Sequence, residues 1–165
     1  MSSISYAYRK RSIRVSMLAV LLALTACAEI SLISDYDAAT DQQVTKLHRD
    51  VETFFTVLER NPTKPACTRA SNDAFYAQAT TDINLLIARN EIRTKNDITK
   101  KQLVVMKDSL ELLEGLHEVA DSEDRCLGLD SNEMQALRGA FSTSFGAILK
   151  LELAKKRGEA EGSGN

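Results

Sequence analysis

The chain has 165 residues with a formal net charge of −2, two prolines, three cysteines and no tryptophan. That length suits one domain with its own core, and a second domain is not expected. Because nucleic-acid binding needs clustered cations, the acidic balance argues against a nucleic acid as the partner.

The first 26 residues have the order of a secretory signal. An apolar run covers 15–26, interrupted only by Ser16 and Thr25, and no acidic residue precedes it. The run is shorter than the roughly 20 apolar residues that a membrane-spanning helix needs, so we expect 1–26 to be a cleaved signal peptide. The basic flank that stays in the cytosol consists of Arg9, Lys10, Arg11 and Arg14.

The residues that end this run, Leu24-Thr25-Ala26-Cys27, resemble the lipobox of bacterial lipoproteins. The resemblance implies transfer of a diacylglycerol to the Cys27 thiol, cleavage before Cys27 and acylation of the new amino terminus. Two or three acyl chains would make the attachment to the membrane effectively permanent. In the enterobacterial sorting pattern, Ala28 in place of Asp favours the outer membrane, with the protein facing the periplasm. The alternatives are the inner membrane and the cell surface.

Two other outcomes fit the same residues. Ala26-Cys27-Ala28 also has the small-x-small pattern of ordinary secretory cleavage, which would release a soluble protein, and the segment could remain as an uncleaved anchor. Lipidation fits the motif and the short run best. The lipid on Cys27 is then the only non-protein group that we expect, with no metal and no other cofactor.

The two remaining cysteines, Cys67 and Cys126, form an even pair once Cys27 is assigned to lipid. In an oxidising periplasm such a pair indicates a disulfide. Two free thiols or a metal site are the alternatives, but neither His48 nor His117 stands at the spacing typical of zinc ligands. Without the signal, the chain has 17 Lys and Arg against 23 Asp and Glu, a formal charge of −6.

A short tether over 27–36 leads into a first predicted helix over 37–60, in which Thr40 and Gln43 resemble a capping box. The helix must end before the only two prolines, at 62 and 65. Its apolar stripe consists of Val44, Leu47, Val51, Phe54 and Leu58.

Three more helices follow. Ser71 is the predicted N-cap of a second helix that ends near Ile92, a third helix follows 94–97, and Asp130 with Glu133 marks the start of a fourth. Their apolar stripes include Phe75, Tyr76, Ala79, Ile83, Leu86 and Ile87, then Leu103, Met106, Leu110, Leu113, Leu116 and Ala120, then Met134, Leu137, Phe141, Phe145, Ile148 and Leu149.

No segment alternates apolar and polar residues for long enough to indicate a strand. Helices joined by short connections favour an all-α, up-down-up-down four-helix bundle over 37–157, followed by a disordered tail over 158–165. In that topology the connections that carry Cys67 and Cys126 lie at the same end, which supports the disulfide independently.

The sequence lacks the common catalytic motifs, including Cys-x-x-Cys-His, Gly-x-Ser-x-Gly, His-Glu-x-x-His and a glycine-rich phosphate loop. We interpret His48 as a solvated surface residue and His117 as a boundary residue of the third helix, because neither has an evident catalytic partner. We therefore expect a protein that is not an enzyme.

Several apolar residues lie off the main stripes and would either line a groove or reflect broad contact between helices: Phe55, Val57, Val104, Leu112 and Val119. We expect a membrane-tethered helical module that binds another cell-envelope protein. The alternative is a small-ligand or lipid carrier with an apolar cavity between the helices. The ending FSTSFGAILKLELAKKRG is similar to that of small uncharacterised helical lipoproteins of proteobacteria, a resemblance that implies no activity.

Overall fold

The computed structural model describes residues 33–128 and 131–162, and within them the chain forms four α-helices. These are α1 (Ala38–Arg60), α2 (Asp73–Glu91), α3 (Asp97–Ser122) and α4 (Asn132–Gly162), with a short 3₁₀ helix (Ala70–Asn72) before α2. Helices α1 and α3 each pack against both α2 and α4. Because successive helices reverse direction, this is an up-down-up-down four-helix bundle, and the predicted fold class is confirmed.

The core consists of the apolar positions that recur every three or four residues on each helix. Four residues of the predicted stripes, Phe75, Ile87, Leu116 and Leu149, are only partly buried at its edge. The fully buried members are Val44, Leu47, Val51, Phe54, Leu58, Tyr76, Ala79, Ile83, Leu86, Leu103, Met106, Leu110, Leu113, Ala120, Met134, Leu137, Phe141, Phe145 and Ile148.

Phe55 is part of this core and does not line a surface groove. Its side chain is buried between α1 and α4, where its ring meets Phe141 edge to face at 6.3 Å and the Arg138 guanidinium lies 5.2 Å from its centre. Contact with two neighbouring helices makes the buried face of α1 wider than a single stripe. Of the two alternatives that the sequence left open for Phe55, the structure bears out broad contact between helices.

Helix α1 begins one turn earlier than a capping box at Thr40 and Gln43 would place it. The N-cap is Asp37, whose carboxylate accepts a hydrogen bond from the Ala39 N–H at 3.2 Å. The Thr40 hydroxyl donates to the same carboxylate at 2.7 Å instead of capping a backbone group. Asp37 is the better cap because the guanidinium of Arg89 also pairs with it.

The start of α2 also differs from the prediction. Ser71 lies inside the 3₁₀ helix, and Asn72 precedes α2 without a side-chain cap. The hydroxyl of Thr68 takes the predicted role of Ser71 and accepts a hydrogen bond from the Ser71 N–H at 3.2 Å. The chain turns earlier because Cys67 is held in the core beside this segment.

Helix α4 does not end at residue 157. It continues through Gly158 to Gly162, so the predicted disordered tail over 158–165 is wrong at least as far as Gly162. Glu159 accepts a hydrogen bond from the Tyr36 N–H at 2.6 Å, and the Lys156 ammonium lies 5.4 Å from the Tyr36 ring centre. These contacts with the entering chain offset the roughly 1 kcal/mol that a glycine costs within a helix.

Candidate functional site

Cys27, the signal peptide over 1–26 and residues 27–32 of the tether lie outside the described residues. The described chain begins at Ile33, six residues after Cys27. The Ser34 N–H donates to the Lys95 carbonyl at 3.0 Å, and the Ser34 hydroxyl donates to Asn96 Oδ1 at 2.9 Å. The last part of the predicted tether is therefore bound to the connection between α2 and α3.

We call this end of the bundle, formed by 33–37, 89–101 and 152–159, the tether end. At its centre Asp37 receives a forked pair of hydrogen bonds from Arg89 at 2.6 and 2.7 Å. Hydrogen bonding to Arg89 and then to Thr40 holds the pKa of Asp37 well below its usual range, against the opposing effect of burial. The Asp37 N–H also donates to Glu152 Oε2 at 3.2 Å, which joins the entering chain to α4.

Beneath Asp37, the tether end contains a buried ion pair between Glu152 and Lys155 of α4. The Lys155 ammonium also donates to Asn96 Oδ1 at 3.0 Å and to the Thr99 hydroxyl at 3.4 Å. Asn96 in turn donates to Asn90 Oδ1 at 2.5 Å. These bonds satisfy charged and polar groups that would otherwise be costly to bury, and they connect α2, α3 and α4.

The opposite end of the bundle, formed by 58–73, 118–128 and 131–135, is here called the disulfide end. Cys67 and Cys126 form a disulfide there with their Cα atoms 5.5 Å apart, so the two predicted partners are brought together as the topology required. The bond joins the connection before α2 to the connection before α4. It lies farthest from the point where the chain enters.

His117 lies beside the disulfide and is fully buried, which corrects its interpretation as a boundary residue. Its Nε2 is 2.7 Å from the Cys67 carbonyl oxygen, and its Nδ1 is 2.9 Å from the Tyr76 hydroxyl. Because a carbonyl only accepts, Nε2 donates to it, and Nδ1 can accept the Tyr76 hydrogen. Burial raises the pKa of Tyr76 above its usual range. His117 has no exposed surface, and its hydrogen bond to the Cys67 carbonyl holds the Cys67 segment in place.

His48 is not a freely solvated residue either. Its ring stacks on Phe145 of α4, with 4.5 Å between the ring centres and 17° between the planes, and the side chain is half-buried. The seven-residue step from His48 to Phe55 places both on the side of α1 that faces α4. That spacing was the sequence signal for a wider contact surface.

A cleft of about 470 Å³ opens at the disulfide end. Its lining is mainly apolar, with the disulfide at its base, and consists of Leu58, Glu59, Pro62, Cys67, Cys126, Leu127, Gly128 and Gln135. By contrast, the gap between the helices near Ile83, Met106 and Phe141 cannot admit a water molecule. The cleft at the disulfide end therefore has space for a ligand, whereas the gap near Ile83, Met106 and Phe141 has none.

The outer face of α3 has a row of exposed apolar residues at seven-residue spacing. Ile98, Val105, Leu112 and Val119 are 56%, 49%, 55% and 49% exposed, and we call them the α3 stripe. Val104 lies beside them and is also exposed. Over 21 residues the stripe extends for about 30 Å. Leu112, Val119 and Val104 were recognised in the sequence, whereas Ile98 and Val105 were missed although the seven-residue step was visible.

Gly115 lies one turn beyond Leu112 and one turn before Val119, on the same side of α3 as the stripe. A Cβ atom added at Gly115 would meet nothing within 4 Å. No neighbour within the described bundle therefore requires a glycine at this position. Its absence of a side chain leaves a shallow notch in the stripe.

Among the described residues, no group of three or more His, Cys, Asp and Glu side chains is arranged to hold a metal ion. None of the helices in that part of the chain combines the length and apolar character that a membrane crossing requires. No protein-family model, no curated protein and no solved structure matches the chain. The functional conclusion must therefore come from the tether end, the disulfide end and the α3 stripe.

Proposed function

We propose that this protein is a lipid-anchored module of the cell envelope that binds a helix of another envelope protein through the α3 stripe, without catalysing a reaction. The observation that carries the binding role is the row of four half-exposed apolar residues along one helix. Burying them against a partner would remove four large apolar side chains from water.

The geometry of the stripe favours one kind of partner. Apolar residues repeated every seven positions form a single row along α3, and such a row favours an α-helix packed alongside it. The notch at Gly115 would let that helix approach the α3 backbone closely between Leu112 and Val119. An amphipathic helix about six turns long would cover the whole stripe.

The anchoring role is supported by the lipobox and by the way the chain enters the bundle. Ile33 is the sixth residue after Cys27, and Ser34 is bound through its N–H and its hydroxyl to the connection between α2 and α3. Fully extended, six residues span at most about 20 Å. A lipid on Cys27 would therefore keep the bundle close to the membrane, in the outer membrane and facing the periplasm by the sorting pattern.

We propose no catalytic role because the buried charged side chains of the bundle are paired within the fold. The buried Glu152–Lys155 pair and the Asp37–Arg89 pair bind the entering chain, and His117 is bonded on both ring nitrogens. These groups already have partners within the fold. Chemistry would require them to face a substrate.

A photo-crosslinking amino acid at Val105, within the α3 stripe, tests the binding role in intact cells. We expect one discrete crosslinked product, which Leu112→Glu abolishes because it places a charge in the interface. The control is Leu85→Glu, which changes an α2 residue of similar exposure outside the stripe and should leave the product unchanged. An unchanged product in Leu112→Glu would contradict the proposal, and a product with a second copy of the chain would assign the stripe to self-association.

A second candidate function, carriage of a small apolar ligand, is favoured by the cleft at the disulfide end, whose volume of about 470 Å³ lies within the usual range of ligand sites. It differs from the expected cavity between the helices. Native mass spectrometry of the protein extracted from membranes tests it. A bound small molecule that is lost in Leu127→Glu would support carriage, and a bare protein mass would count against it.

A further inference from the structure

The two ends of the bundle differ in charge. The tether end (33–37, 89–101 and 152–159) has eight Lys and Arg against six Asp and Glu. The disulfide end (58–73, 118–128 and 131–135) has four Lys and Arg against seven Asp and Glu. The molecule is therefore polarised along its long axis, with its relatively cationic end where the chain enters.

Several cations at the tether end are available to an external partner. Lys95, Lys101 and Arg157 are exposed and form no ion pair with any residue that the structure describes. Two of the acids there, Asp37 and Glu152, are buried and paired with Arg89 and Lys155. With these two pairs set aside, six Lys and Arg remain at this end against four Asp and Glu.

The same surface exposes large apolar side chains. Ile92, in the connection between α2 and α3, is 85% exposed, the highest value among the exposed large apolar residues. Ile98 and Ile33 lie in the same end and are also exposed. Apolar side chains next to cations are typical of surfaces that rest in the headgroup region of a membrane, where the apolar groups enter and the cations meet phosphates.

We propose that the tether end docks on an anionic phospholipid surface, with Ile92 inserted among the headgroups and Lys95, Lys101 and Arg157 beside the phosphates. The proposal rests on the lipid anchor at Cys27, because the six residues to Ile33 hold this end within about 20 Å of the acyl chains. Repulsion disfavours tilted orientations that bring the acidic disulfide end within a Debye length of the anionic surface, and so favours an upright bundle. The α3 stripe then runs outward from the membrane, accessible to its partner.

Exposed acidic residues at this end oppose its binding to an anionic membrane. Asp35 and Glu91 are exposed, and Asp97 is paired with Lys100 at 2.5 Å. Docking therefore depends on anionic lipid and on low ionic strength, because a neutral surface offers the cations no compensation. This dependence distinguishes docking from attachment by acyl chains, which does not need anionic headgroups.

Tryptophan fluorescence provides a direct test because the natural sequence contains no tryptophan. Ile92→Trp places one reporter at the tether end, and Leu112→Trp places a matched reporter in the middle of the α3 stripe. The mature protein is purified from membranes and mixed with vesicles of brominated phosphatidylcholine and phosphatidylglycerol. We expect the tryptophan at 92 to shift to the blue and to be quenched, and the tryptophan at 112 to remain unquenched. Equal quenching of the two reporters, or none, would overturn the docking proposal.

Charge variants test the electrostatic part of the proposal in the same assay. Reversing Lys95 and Lys101 to Glu in the Ile92→Trp protein should lower the ratio of docked to undocked protein at least tenfold, since each cation near an anionic surface contributes roughly a fivefold effect. The ratio is read from the quenching of the tryptophan at 92 at a fixed lipid concentration. Reversing Arg49 and Arg60 makes the same change in net charge outside the tether end and should have little effect. Equal effects of the two double variants would contradict a localised surface.

The lipid anchor and the docking of the tether end are tested by two separate measurements. The intact mass of the same preparation reports whether acyl chains are present, and the quenching of the tryptophan at 92 relative to 112 reports the orientation. A mass without acyl chains overturns the anchor, and the quenching result still decides docking. An acylated protein with an unquenched tryptophan at 92 overturns docking alone.

Discussion

The disulfide between Cys67 and Cys126 should contribute a large part of the stability of this bundle. The two cysteines are 59 residues apart in sequence, and cross-linking them restricts the unfolded chain. For a loop of this size the chain-entropy estimate is about 4 kcal/mol. The whole domain is expected to have a free energy of unfolding of about 5–15 kcal/mol. Loss of this bond should therefore leave the bundle with a much smaller free energy of unfolding.

Three variants test this value: Cys67→Ala, Cys126→Ala and the double substitution. Each is expressed without residues 1–26 and contains Cys27→Ser, so that no signal segment, lipid or third thiol interferes. We expect each single substitution to lower the free energy of unfolding by about 4 kcal/mol, because either one removes the whole bond, and the double substitution to cost no more than a single one. Urea unfolding followed by far-ultraviolet circular dichroism measures the three values, with the oxidised Cys27→Ser protein as the reference.

The steepness of the urea transition provides a second measurement. Without the bond the unfolded chain exposes more surface, so the slope of free energy against urea concentration should increase. Two results would refute the reasoning. One is a double variant as stable as the reference, and the other is a pair of single variants whose losses add in the double variant.

Three further predictions concern individual residues. At neutral pH Asp37→Asn should lower the free energy of unfolding. Because the pKa of Asp37 is depressed in the folded protein, the ionised carboxylate stabilises the fold above its ordinary pKa, and this contribution is lost as the pH falls through the folded pKa. The urea midpoints of the variant and the natural protein should therefore converge in acid. Tyr76→Phe should cost about 1–3 kcal/mol in the same assay, because it leaves His117 Nδ1 buried without its partner; an unchanged midpoint would contradict this. Gly115→Ala should raise the melting temperature, with a gain of about 0.5–1 kcal/mol, yet weaken crosslinking from Val105; stronger crosslinking would contradict the notch.

The architecture was predictable because apolar spacing alone determines which face of each helix is buried. Residues such as Leu103, Met106, Leu110 and Leu113 have neighbours one helical turn away with the same character, and the structure buries all four. The number of helices also predicted that the two connections containing Cys67 and Cys126 lie at the same end of the bundle. Neither inference needed any contact between distant residues to be known.

The tether end could not be predicted in the same way, because its partners are distant in sequence. Choosing Asp37 over Thr40 as the cap requires knowing that Arg89 of α2 lies beside it. The end of α4 depends on Tyr36, which is 123 residues away from Glu159. One signal was nevertheless present: Glu152 and Lys155 continue the spacing of Ile148 toward the core, and charges at core positions indicate a buried polar cluster.

At the disulfide end, the burial of His117 could not be predicted from the sequence. Its position near the edge of the α3 apolar face suggested a boundary residue, yet the segment around Cys67 folds over it and supplies a carbonyl acceptor. That segment is irregular, so no periodicity indicates where its backbone groups point. Burial of a polar side chain by a loop is a tertiary effect that sequence spacing does not reveal.

The mass of the mature protein, isolated from the membrane fraction, tests the central claim most directly. The account predicts a chain that starts at Cys27 with a diacylglyceryl group on its thiol and an acyl group on its amino terminus, and a Cys27→Ser variant that accumulates at the mass of the precursor. An unmodified chain, or a natural precursor that retains residues 1–26, would contradict the anchor on which the orientation of the bundle depends.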